Sequence, residues 1–148
     1  MEEKKVTGLM KQSEDIVKSL ENLFKGFPHL PENAREVLVK IAPILSLVFG
    51  VLGLIGGIGV LFASPLAVLG GVRSGFGVFV TGALTIVSSV LMLMAYPKLK
   101  NRQYAGWMYL FWSEALNAVY ALFMLSVGSV IGVIIGLYIL FEVKKHYK

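Results

Sequence analysis

The chain has 148 residues, a length typical of a single domain. Hydrophobic residues make up 56% of it and charged residues 16%, whereas soluble domains carry about 25% charged residues, so the composition indicates a membrane protein. The absence of cysteine excludes disulfides, thiolate nucleophiles and cysteine metal sites, and the net charge of +5 is not gathered into a basic groove or motif for nucleic acid.

Residues 1–30 are predicted to form a cytoplasmic amphipathic helix followed by a proline-containing linker. The apolar stripe of this helix has a heptad-like spacing and comprises Val6, Leu9, Ile16, Leu20, Leu23 and Phe27. Because the segment carries almost no net charge, it lacks the basic polar face typical of helices that bind anionic lipid. We expect the helix to lie in the membrane interface through its stripe. Packing on the bundle or a second copy, and docking of a partner protein, are the alternatives.

Residues 31–148 are predicted to form an all-α integral membrane domain with four transmembrane helices. The apolar runs are residues 41–63, 76–96, 105–125 and 127–143. The first three have the length of about 20 residues that a helix needs to cross a bilayer. Between the first two, Ser64-Pro65 predicts the start of a short outer helix that Gly70-Gly71 ends. A tight turn at residues 126–129 is expected to join the last two.

The basic residues alternate between the two sides of this arrangement. From the N-terminus, the five polar segments contain seven, one, three, none and three Lys or Arg residues. With both chain ends in the cytoplasm, thirteen of the fourteen basic residues lie on the cytoplasmic side, in agreement with the positive-inside rule. The sequence therefore predicts a multi-pass protein of the cell (plasma or inner) membrane, with Arg73 contacting lipid headgroups on the outer side.

Aromatic residues support the same orientation. Tyr96, Tyr104, Trp107 and Tyr147 fall at the predicted cytoplasmic interface, where amphipathic rings are enriched. We therefore expect these four residues to act as interface anchors.

Two of the predicted spans carry glycines four residues apart. Gly53 and Gly57 lie in the first span, and Gly132 and Gly136 lie in the last. Such spacing allows close approach of helices in lipid. Packing within the chain is the leading interpretation. Association of two copies through one of these faces, and a broken helix that lines a substrate site, are the alternatives.

Glu114 is the only charged residue in the interior of the four runs, near the middle of the third, because Glu142 lies at the very end of the last run. A charge at mid-membrane costs about 2.5–3.5 kcal/mol on insertion scales, so Glu114 must be protonated, paired or turned toward a polar interior. Asn117 shares its helix face, and Thr85 and Ser89 lie at a similar depth on the preceding span. We predict a buried cluster of Glu114 and Asn117 with Thr85 or Ser89. It would act as a structural cross-link, as a proton or substrate site, or as a contact to another subunit.

The sequence contains no recognisable catalytic motif. Both histidines lie near the chain ends, and metalloprotease, nucleophile-elbow and phosphate-loop signatures are absent. We therefore expect no enzyme, no cofactor and no metal site. In size and in its mid-membrane carboxylate the chain is similar to the small multidrug exporters, which however carry the glutamate in their first span.

Two functions follow from these features. The first is a non-catalytic membrane subunit or scaffold that packs through its glycine-rich helix faces, with the lipid bilayer, a second copy or a partner membrane protein as its partners. The alternative is a small proton-linked transporter that uses Glu114.

Overall fold

The computed structural model describes residues 2–124 and 127–148, with only the backbone for residues 2–4 and 6. Within these ranges the chain is helical and has no strands. The helices are α1 (Glu2–Phe24), α2 (Glu32–Ala67), α3 (Val72–Lys100), α4 (Tyr104–Met124) and α5 (Val127–Val143). Short 3₁₀ turns at Val68–Gly70 and Lys144–His146 follow α2 and α5.

The chain divides into two compact units, residues 1–30 and 31–148. The first unit contains α1 and the linker, and α1 ends before Gly26 and Pro28, which do not support a continuing helix. Four members of the predicted stripe, Leu9, Ile16, Leu23 and Phe27, are exposed.

The second unit contains the helices α2 to α5, and each of them packs against its neighbours along the chain. The first of them is longer than expected, because α2 continues through Pro65 to Ala67. The Ser64 hydroxyl donates a hydrogen bond to the Leu61 carbonyl at 2.7 Å and does not cap a new helix. The chain reverses only after the 3₁₀ turn, at Gly71, where φ is +120° and a side chain would be strained. The separate outer helix expected after Ser64 is therefore an extension of α2.

The other boundaries lie closer to expectation. Helix α3 overruns the predicted span at both ends and continues through Pro97 to Lys100. Helices α4 and α5 agree with the predicted runs to within one residue. Of the turn expected at residues 126–129, Ser126 lies outside the described residues, and the residues from Val127 to Ser129 already belong to α5.

Three helical segments are long and apolar enough to cross a membrane among the described residues: Glu32–Gly70, Val72–Lys100 and Val127–His146. Helix α4 has 21 residues but is not one of them. Its sequence is diluted by Ser113, Glu114 and Asn117 together with several Trp and Tyr residues. The apolar helices are compatible with a membrane protein, whereas the fourth crossing requires a separate argument.

Packing is uneven along the four-helix unit. The start of α2, the α3–α4 turn and the end of α5 meet at one end, here called the basic end (residues 31–40, 97–104 and 141–148). Near this end the fully buried large side chains of the unit are Leu99, Trp107 and Phe111. At the opposite end, here called the far end (residues 60–78, 119–124 and 127–131), large apolar side chains such as Phe62, Leu69 and Phe123 are exposed. The bundle is therefore closely packed at one end and open at the other.

Candidate functional site

Glu114 packs against α5 in the middle of the bundle. A Cβ atom added to Gly136 would lie 2.5 Å from Glu114 Oε1 and 2.9 Å from its Cδ, so the carboxyl group occupies the space that the glycine leaves. Its hydrogen bond comes from the Asn117 side-chain amide, which donates to Oε2 at 3.5 Å, the upper limit for such a bond. Among the described residues no cation pairs with Glu114. The site is therefore a carboxyl group in a glycine notch.

Thr85 and Ser89, the other members of the predicted cluster, bond within their own helix. The Ser89 hydroxyl donates to the Thr85 carbonyl at 2.6 Å, and the Thr85 hydroxyl donates to the Thr81 carbonyl at 2.8 Å. The Ser89 side chain also lies against Gly53 of α2. The structure thus joins Glu114 to Asn117 by a hydrogen bond, whereas the hydrogen bonds of Thr85 and Ser89 go to their own helix.

The α3–α4 contact is instead made by a buried pair of serines. The Ser88 and Ser113 hydroxyl oxygens are 2.6 Å apart, and both side chains are buried. A lone serine in an apolar helix usually bonds back to its own backbone, so neither residue attracts attention in the sequence. One sequence feature does point to this pair. Ser113 directly precedes Glu114, so the two side chains leave α4 in different directions, Ser113 toward α3 and Glu114 toward α5.

The four predicted packing glycines have different surroundings. Added Cβ atoms show that Gly57 lies against Ile86 and Gly82 of α3, and that Gly53 lies against Ser89. Gly136 accommodates Glu114, whereas nothing lies within 4 Å of the corresponding position at Gly132. The first glycine pair therefore serves packing within the chain. In the second pair, only Gly136 contacts another helix of the chain, and the space next to Gly132 is open.

The four predicted anchors divide into buried and half-buried residues. Trp107 is fully buried and its indole N–H donates to the Leu140 carbonyl at 2.7 Å, which joins α4 to α5. Tyr147 is also buried, whereas Tyr96 and Tyr104 are half-buried. Trp107 and Tyr147 thus lie among the helices of the basic end rather than on its surface.

At the basic end, ion pairs join the start of α2 to the end of α5 and to the turn that follows it. The Arg35 guanidinium of α2 donates to Glu142 of α5 at 2.8 Å, and both side chains are largely buried. Lys145 donates to both carboxylate oxygens of Glu32 at 2.9 Å. Sequence analysis missed this network because the partners are more than a hundred residues apart in the chain.

The far end contains an open cavity between α2, α3 and α4 with a volume of about 840 Å³. Its walls include Val60, Phe76, Gly77, Thr81 and Phe123, and its rim carries Arg73 and Ser74. Arg73 has no acidic partner within the described part of the chain.

The structure is that of a helical protein whose apolar helices are compatible with a membrane. It does not assign the protein to a narrower class. In the described ranges, no three or more His, Cys, Asp or Glu side chains gather as a metal site. No family model, curated protein or solved structure matches the chain.

Proposed function

We propose that the protein crosses the cell membrane four times, with both ends in the cytoplasm, and serves as a non-catalytic membrane subunit or scaffold. The observation that carries this proposal is that several polar side chains inside the apolar helices contact a neighbouring helix: Ser46, Ser88 and Ser113 bond to it, and Glu114 occupies a notch in it.

The fourth crossing is supported by the surroundings of α4. Its Ser113 bonds to α3, and its Glu114 lies against α5. The large side chains that it exposes are instead apolar or aromatic: Trp112, Val119, Leu122, Phe123 and Met124. A helix that turns its polar groups toward its neighbours offers lipid an apolar surface, even when its mean hydropathy is low. Helix α4 would therefore cross the bilayer as part of the bundle.

The orientation is supported by the gathering of basic residues at one end of the bundle. The ion pairs of Arg35 and Lys145 join the start of α2 to the end of α5. Backbone hydrogen bonds between Lys148 and the residues Arg102 and Tyr104 join the α3–α4 turn to the same end. By the positive-inside rule, this end would face the cytoplasm.

Cysteine labelling tests this topology with little background, because the chain has no cysteine of its own. Leu69→Cys and Asn101→Cys both place a thiol at an exposed position, the first at the far end and the second at the basic end. A membrane-impermeant maleimide should label Leu69→Cys in intact cells and Asn101→Cys only after permeabilisation. The reverse pattern, or labelling of both in intact cells, would contradict the proposal.

The scaffold function is supported by how the polar side chains are used. The Ser46 hydroxyl donates to the Met92 carbonyl across the α2–α3 contact, and Ser88 pairs with Ser113 across the α3–α4 contact. These contacts hold helices together. Gly128 and Gly132 of α5 have open space around them and leave a helix face for a second copy or a partner membrane protein.

Cross-linking in native membranes tests the association. Gly132→Cys should give a disulfide-linked or maleimide-linked product of higher mass. Gly56→Cys, which also has open space around it but lies on α2, should stay at the mass of one chain. If both variants remain at that mass, the scaffold hypothesis loses its interface.

A second candidate, a small proton-linked transporter, is favoured by the sparse bonding of Glu114. One long hydrogen bond leaves this carboxyl group available to exchange a proton. Vesicles containing the purified protein would then dissipate a pH gradient, and Glu114→Gln would abolish the flux while Asn117→Ala would only reduce it. Flux that depends on Glu114 would replace the scaffold hypothesis; its absence would remove the transporter.

A further inference from the structure

Arg73 is a cation at the far end of the bundle that has no acidic partner among the described residues. It lies in the first turn of α3, directly after Gly71, and its side chain is exposed. No carboxylate pairs with it anywhere in residues 2–124 or 127–148. The first-turn amide groups of a helix also favour an anion, so Arg73 and Ser74 together provide an anion-binding rim.

The space next to Arg73 is apolar and large. The cavity of about 840 Å³ lies in the range of pockets that hold small molecules. Besides Arg73 and Ser74, its lining is mostly apolar and includes Val60, Phe76, Val78 and Phe123, together with Thr81 and Tyr120. The site therefore has a positive charge at one edge and a mostly apolar lining. This combination fits a ligand with an anionic head and an apolar tail.

We infer that the far-end cavity binds one anionic phospholipid, with the phosphate at Arg73 and Ser74 and an acyl chain along Phe76 and Phe123. This inference rests on the proposed membrane location, because the far end would then lie at the level of the outer-leaflet headgroups. A guanidinium forms charge-assisted hydrogen bonds to phosphate oxygens, and the apolar walls cover the chain.

The cavity itself argues against a free phosphate ion as the occupant. An ion needs only the rim, and Arg73 is exposed to solvent, where a single ion pair contributes little. Affinity above that level has to come from burial of the acyl chain. The head group supplies selectivity, and the tail supplies most of the binding.

Native mass spectrometry of the detergent-solubilised full chain measures this binding. Titrations compare phosphatidylglycerol with phosphatidylcholine of the same acyl chains, and inorganic phosphate serves as the head-only probe. The first phosphatidylglycerol should bind about tenfold more tightly than phosphatidylcholine, and Arg73→Gln should remove this preference. Lys100→Gln removes the same charge at an exposed position of the basic end and should leave the preference unchanged.

A second pair of variants tests the chain-binding part. Gly77 lines the cavity, and nothing lies within 4 Å of an added Cβ, so Gly77→Leu would project into the cavity without disturbing α3. It should weaken the binding of both lipids by about tenfold or more. Gly56→Leu also has open space but lies outside the cavity lining, and it should bind both lipids as the unmodified chain does.

Three outcomes would overturn the inference: equal binding of the two lipids, persistence of the preference in Arg73→Gln, or full binding in Gly77→Leu. Competition by inorganic phosphate as effective as that of the lipid would also overturn it, because the tail would then be irrelevant. The labelling of Leu69→Cys and Asn101→Cys is read separately. A chain with the expected topology but no lipid preference loses only this inference, whereas a chain that fails to insert loses the proposed function itself.

Discussion

The Glu114 carboxyl group fits between α4 and α5 only because residue 136 has no side chain. An added methyl group at Gly136 would overlap Oε1 at 2.5 Å, which forces the carboxyl group or the helix to move. We expect Gly136→Ala to lower the free energy of unfolding by about 1–3 kcal/mol, as overpacking does elsewhere. Thermal unfolding in a mild detergent, followed by circular dichroism, measures the change.

The matched control for this prediction is Gly132→Ala on the same helix. Its added methyl group meets nothing within 4 Å, so the substitution should leave stability unchanged or raise it by up to about 1 kcal/mol through helix propensity. Glu114→Ala in combination with Gly136→Ala should recover much of the loss, because it removes the overlapping group. Equal effects of the two glycine substitutions would refute the notch.

Tyr147 provides a prediction about pH. Burial raises the pKa of its phenol to about 12, an effect that the nearby Arg102 charge only partly opposes. A raised pKa means that the folded state holds the proton more tightly. The associated stability is fully present below pH 10, the ordinary pKa, and is lost as the pH rises toward 12. Tyr147→Phe should show a smaller loss of stability between these two pH values in an alkaline denaturation series.

The same substitution distinguishes a buried ring from an interface anchor. Within the described residues, the Tyr147 hydroxyl is buried and has no hydrogen-bond partner. Its removal should therefore be neutral or stabilising near pH 7. A clear loss of stability in Tyr147→Phe would instead indicate that the hydroxyl contacts the membrane interface or water.

At the scale of elements, one ion pair ties the first bundle helix to the last. Arg35 and Glu142 are 13% and 7% exposed, so removal of the guanidinium leaves a largely buried carboxylate. We expect Arg35→Ala to cost about 3 kcal/mol of unfolding free energy. Lys40→Ala removes the partner of Glu36 in an exposed pair and should cost less than about 0.5 kcal/mol. Chemical unfolding of both variants in the same detergent compares the two pairs, and similar costs would contradict the role of burial.

The helices themselves follow from the sequence far better than their contacts do. The apolar runs predict the bounds of α4 and α5 to within one residue, because each run is long enough for a helix and contains no residue that would end one. The predicted end of the first span was wrong, because Ser64-Pro65 is compatible both with a helix start and with a continuing helix. Contacts between separate elements, such as that of Val68 with Gly75, are not visible in the sequence. The partners of Glu114 were also beyond the sequence. The rotation of α4 about its axis decides whether Ser113 or Glu114 faces α3, and a rotation of one residue exchanges them.

At the scale of the whole bundle, packing is concentrated toward the basic end. Phe111 and Phe123 lie on the same helix, but Phe111 is 1% exposed and Phe123 is 65% exposed. We expect Phe111→Ala to cost of order 3 kcal/mol, because it removes packing contacts that the neighbouring helices cannot replace. Phe123→Ala should change stability by less than about 0.5 kcal/mol. Thermal unfolding of the two variants measures this difference, and equal costs would show that the two ends are equally well packed.

This uneven packing also bears on how the bundle would respond to its surroundings. Ion pairs and the stacked rings of Trp107 and Phe111 hold one extremity together, so spreading of the helices would begin at the opposite extremity, around Arg73 and Phe123. In the proposed membrane location, lateral pressure in the leaflet around the far end would act on the more loosely packed part of the bundle. We expect changes in chain unsaturation or curvature on that side to open or close the bundle, whereas the same changes on the other side would leave it as it is.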